Sequence, residues 1–110
     1  LGDAGALEDN IIANISTLTS AYRDFRNTAG NTSVMSATWL VDKLDGILCA
    51  GSLKTKYPYV ASGNDPRSIM IDQLALISNS NPPITLGTAA NRVRAALYLI
   101  TSSPEYIVQK

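Results

Sequence analysis

Two aspartates three residues apart are the first residues in this chain whose types and spacing suggest chemistry. Asp42 and Asp45 fall in a helical stretch, so their carboxylates share a face. Paired carboxylates can do acid–base work or hold a cation. Lys43 stands between them and no third ligand follows at motif spacing, so a solvated polar face is the better reading. On that reading Asp42→Ala is expected to be nearly neutral. Cys49 would need a base to act as a nucleophile. The chain has no histidine, which removes Ser-His-Asp and Cys-His catalysis, histidine metal sites and imidazole switching together. Cys49 follows Leu48 at an apolar helix end and reads as a buried thiol. No catalytic residue, metal site or cofactor is expected.

The remaining polar clusters have equally plain readings. Arg23 and Arg26 share a helix face, and Arg92 and Arg94 flank the start of another. Clustered arginines can bind phosphate, but Asp24 lies between the first pair, so ion pairing within the bundle is expected. Gly87-Thr88 at a helix start could present N–H groups to an anion. Without a P-loop lysine it reads as an ordinary cap. Asn14-Ile15-Ser16 and Asn31-Thr32-Ser33 match the glycosylation acceptor pattern, as short patterns do by chance. Trp39 at helical spacing reads as core. Tyr57 and Tyr59, around Pro58 in a loop, are the more plausible exposed aromatic pair and the candidate interaction surface.

Helices must position these groups. Leu7, Ile11, Ile15, Leu18, Tyr22, Phe25 and Ala29 form one apolar stripe, with Arg23 and Arg26 off it. Gly30 ends that helix and Asn31-Thr32-Ser33 can cap the next. The second helix, about 34–50, has a wider apolar arc through Val34, Ala37, Leu40, Val41, Leu44 and Leu48. Asp42, Lys43 and Asp45 are expected to face away from it. Residues 51–65, GSLKTKYPYVASGND, read as an irregular loop. Asp65-Pro66 starts a third helix to about Ser78. Thr85 or Thr88 caps a fourth, with Ala89, Val93, Ala96, Leu97 and Ile100 inward. Ser103-Pro104-Glu105 restarts a short C-terminal turn, with Ser103 as its cap. No strand alternation appears. The expected fold is all-α: a bundle of about four helices plus a terminal turn.

Composition narrows the function classes. With 110 residues, one domain over 1–110 is expected. Nine basic and nine acidic residues cancel, so nothing draws the chain to nucleic acid. A single cysteine allows no internal disulfide. No apolar run is long enough for a membrane span. Low charge content, 16% of residues, leaves surface for a protein partner or self-association. A chain that opens on Leu1 with no signal-peptide pattern is expected to be part of something longer.

Two stretches, TWLVDKLDGILCAGSL (38–53) and NRVRAALYLITSSPEYIVQK (91–110), resemble the C-terminal end of a large bacterial family known as "domain of unknown function 1800". Its members tend to carry a helix of the form L-V-D-x-L-D-x-L-L-x-A-G-x-L, here Leu40 to Leu53. They tend to close on Ser-Pro-acid-aromatic and an apolar-Gln-basic tail, here Ser103 to Lys110. The resemblance covers about a third of the chain and leaves residues 55–83 unaligned. It implies a C-terminal portion of a longer exported protein, periplasmic, cell-surface or secreted, and brings no catalytic residue with it. The expected role is a non-enzymatic structural or interaction domain. The alternatives are a protein- or glycan-binding module using Tyr57 and Tyr59, a self-assembling subunit, or an accessory piece of an enzyme whose catalytic groups lie upstream.

Overall fold

The computed structural model describes the backbone of residues 4–77 and 82–103, with side chains from residue 14 onward. All regular structure among these residues is helical: α1 (Ala4–Asn27), α2 (Ser33–Leu48), α3 (Ser52–Lys56), α4 (Pro66–Ile77) and α5 (Leu86–Thr101). The all-α expectation therefore holds. The expected irregular loop at 51–65 does not hold throughout, because α3 occupies its first third.

Helix α2 is the hub, packing against α1, α3, α4 and α5, while α1 also pairs with α5. Its arc explains this. Ala37, Leu40, Val41 and Leu44 are all buried, and Met70, Ile71 and Leu74 of α4 and Val93, Ala96 and Ile100 of α5 close over the same core. Each large apolar side chain buried this way contributes about 1.5–3 kcal/mol. Val34 and Ile47, at the two ends of α2, are exposed at 40% each. From α1, Leu18 and Tyr22 enter the core, and Phe25 stacks on Trp39 with ring centroids 5.3 Å apart. Leu7 and Ile11 lie outside the described side chains, and Ala29 is exposed beyond the helix end.

Helix ends follow local chemistry. Thr32 caps α2 by accepting from the Met35 N–H, and Thr85 caps α5 by accepting from the Thr88 N–H. Asp65 caps α4 by accepting from the Ser68 N–H at 2.9 Å. Asn27 ties the end of α1 to the approach to α5, exchanging two hydrogen bonds with the Ile84 backbone at 2.7 and 3.1 Å. Arg26, expected off the apolar stripe, is buried: it stands one turn beyond Tyr22 on the same face. Its guanidinium donates to the Asn31 carbonyl and the Ser33 hydroxyl, holding the α1–α2 turn closed. Ser103 is buried and its hydroxyl donates to the Ile100 carbonyl at 2.7 Å. The helical restart it was expected to cap, residues 104–110, lies outside the described residues.

Candidate functional site

Asp42 and Asp45 serve the architecture: with partners later in the chain they hold the segment between α2 and α4 in place. Asp45 is fully buried rather than solvated. Its position explains why: it follows Val41 and precedes Cys49 by one turn each, inside the apolar arc. Its two oxygens accept from the Leu53 N–H at 3.1 Å and the Lys54 N–H at 3.0 Å. These are first-turn donors of α3, which has no side-chain cap of its own. Asp45 thus caps α3 from the preceding helix. The chain reverses between them through Ala50 and Gly51, both with positive φ (53° and 81°). The reversal places Leu53 in the core, where it is fully buried, as Cys49 is.

Asp42 is half-buried and pairs with Arg67 of α4. The guanidinium meets it through Nε at 3.1 Å and through Nη2 at 3.0 and 3.2 Å. The third arm of Arg67 donates to the Tyr57 carbonyl at 3.0 Å. One buried arginine therefore joins α2, the segment and α4. The expectation of a solvated Asp42–Asp45 face is overturned for both residues: the partners lie in later parts of the chain.

Helix α4 supplies the remaining anchors. The Ser68 hydroxyl accepts from the Val60 N–H at 3.0 Å, and Asp72 accepts from the Tyr59 hydroxyl at 2.7 Å and the Ser62 N–H at 2.9 Å. A tight turn closes between them, with the Gly63 N–H donating to the Val60 carbonyl at 2.8 Å. Only glycine fits there, since a Cβ at Gly63 would stand 2.9 Å from that carbonyl oxygen. Tyr57 and Tyr59, expected as an exposed pair, are half-buried and packed against the core. Their neighbour Val60 is the exposed one, at 58%.

These bonds set the local electrostatics. The hydrogen bond to Asp72, partial burial and the Asp72 charge together hold the Tyr59 hydroxyl above the usual tyrosine range. The Ser68 N–H and hydroxyl, aided by the Arg67 charge, hold the Asp65 carboxyl below the usual carboxylate range.

The end of the segment forms one wall of an open cleft of 440 Å³ between α2 and α4, lined by Ser33, Val34, Ser62, Asp72, Ala75 and Leu76. A second cleft, of 350 Å³, lies between α1 and α2 against Leu18, Trp39, Lys43 and Ile47. There the Lys43 ammonium sits 5.7 Å from the Trp39 ring centroid, a cation–π distance. The other sequence candidates do not converge on either cleft. Arg23 pairs with its neighbour Asp24 at 3.2 Å, and Arg94 donates to Asn91. Cys49 is buried, and Gly87 sits in the first turn of α5 behind the Thr85 cap. Among the described residues no three acidic or thiol groups gather as a metal site would require, and no helix is long and apolar enough to cross a membrane. Asp72, unremarked in the sequence, lines the first of these clefts.

Comparison with family models, with curated proteins and with solved structures finds no match in any of the three.

Proposed function

We propose that this chain is a non-enzymatic helical domain with a structural and interaction role, forming the C-terminal portion of a longer bacterial exported protein. The observation that carries the reading is the use made of the carboxylates. Asp42, Asp45, Asp65 and Asp72 each hold the 52–72 region through backbone N–H groups, a guanidinium or a tyrosine hydroxyl. Groups engaged in this way keep a loop in one conformation, which favours presentation of a fixed surface over proton transfer. Val60 within that region and Leu76 in the last turn of α4 are apolar side chains left exposed, at 58% and 72%. The balance of charges argues against a nucleic-acid partner. The exported origin rests on the family resemblance of residues 38–53 and 91–110.

Site-specific photo-crosslinkers at Val60 and at Leu76, in the full-length protein within its native envelope, test the interaction role. Both positions tolerate substitution because neither side chain is buried. Discrete adducts at either position support the reading. Irradiation that yields only the uncrosslinked chain at both positions refutes it.

A further inference from the structure

We infer that the cleft between α2 and α4 receives a lysine or arginine side chain carried on an apolar stretch of a partner polypeptide. The inference rests on the interaction role proposed above and names the chemistry of its partner.

Charge complementarity carries the assignment. Asp72 holds its two hydrogen bonds from neutral donors, the Tyr59 hydroxyl and the Ser62 N–H. Neither of these bonds brings a positive charge to Asp72, unlike the guanidinium on Asp42. The other anchoring aspartates lack one or another of these properties. Asp42 is neutralised by Arg67, Asp45 is buried on two N–H groups, and Asp65 is bound to the first turn of α4. Asp72 lines the cleft together with apolar Val34, Ala75 and Leu76, of which Val34 is 40% and Leu76 72% exposed. A volume of 440 Å³ lies in the range of binding clefts, about 300–1,000 Å³. Lysine and arginine match this pattern, an alkyl stem to lie along Val34 and Leu76 and a cation to reach the carboxylate. Ser33 and Ser62 also line the cleft. The carboxylate is also held in place before any partner arrives, by the Tyr59 hydroxyl and the Ser62 N–H.

The second cleft has the reverse character. Its charged group is Lys43, already seated over the Trp39 ring, and it offers no anion to a basic partner.

The test uses two probes, acetyl-Leu-Lys-Leu-Leu-amide and the same peptide with norleucine in place of lysine. Each is titrated into the methyl-labelled chain and followed by NMR. The lysine peptide is expected to shift the Val34 and Leu76 methyls and the Ser62 amide saturably, and to bind about five- to tenfold more tightly than the norleucine peptide. Asp72→Asn should bring the lysine peptide down to the norleucine level, and Leu76→Ser should weaken both. Should Asp72→Asn disturb the segment, raising the salt on the native chain gives the same discrimination, weakening only the lysine peptide. Equal affinity for the two peptides, or shifts confined to other residues, overturns the inference. So does a concentration-dependent shift of the same methyls with no peptide present, which would place a second copy in the cleft. Equal affinities alongside photo-crosslinks at Val60 or Leu76 would remove the basic partner and leave the interaction role standing.

Discussion

Removal of the Asp42 carboxylate is the sharpest perturbation of this structure. Arg67 has only 6% of its side chain exposed, against 22% for Asp42. In Asp42→Ala the guanidinium stays where burial holds it, keeps its bond to the Tyr57 carbonyl, and loses three contacts of 3.0–3.2 Å. Breaking a buried pair from one side costs about 3–5 kcal/mol, because the remaining charge is uncompensated. The partial exposure of Asp42 admits water to the vacated space, so the expected loss is about 2–4 kcal/mol. At roughly 4 °C per kcal/mol for a chain of this size, the melting temperature should fall by about 8–16 °C. Calorimetry on Asp42→Ala, Arg67→Met and the double variant measures the coupling. Arg67→Met together with Asp42→Ala should recover part of the loss, since an apolar residue of similar length leaves no buried charge. A melting temperature for Asp42→Ala within about 2 °C of the native chain would refute the reasoning and return Asp42 to a solvated face.

Four further outcomes follow from the same contacts. Asp45→Ala should cost about 2–3 kcal/mol, because two buried N–H groups of α3 lose their acceptor, and chemical denaturation measures it. Leu44→Ala, at a position with no exposure, should cost about 2–5 kcal/mol by the same assay through lost burial and a cavity. Tyr59 is held above its ordinary range by Asp72, so its hydroxyl contributes stability that is complete below about pH 10 and lost as pH rises through its folded value. Tyrosinate absorbance should accordingly show a late-titrating component that Tyr59→Phe removes. Asp65 is lowered, so its contribution is present above the ordinary carboxylate range of about 4 and is lost as pH falls through its lower folded value. The acid limb of the melting profile should flatten in Asp65→Asn.

Helices whose ends are set by adjacent residues were legible in the sequence. Thr32, Asp65-Pro66 and Thr85 cap their helices through bonds that span three residues. The apolar arc of α2 was legible for the same reason, since periodicity is local. Helix α3 was not, because five residues between Gly51 and Tyr57 are too few for a period and its cap stands eight residues earlier. The Asp42–Arg67 pair spans 25 residues, and no local pattern joins such partners. One signal was available: Asp45 lies one turn from both Val41 and Cys49, and a carboxylate inside an apolar arc needs a buried donor. The cleft was not legible: Val34 was expected on the inward arc of α2, and nothing marked Asp72 or Leu76. Exposure of Val34 and Leu76 depends on how α2 and α4 cross, which neither helix encodes alone.

Amide hydrogen exchange on the native chain tests most directly whether the aspartates hold the 52–65 segment in one conformation. Leu53, Lys54, Val60 and Ser62 donate to Asp45, Ser68 and Asp72. Their amides should exchange at least tenfold more slowly than an unstructured chain, on the order of the protection that a bond worth ~1.4 kcal/mol gives. Substituting Asp72 by Asn should release Ser62 while leaving Leu53 and Lys54 protected. Exchange of all four amides at unstructured rates, with α2 and α4 still protected, would contradict the account.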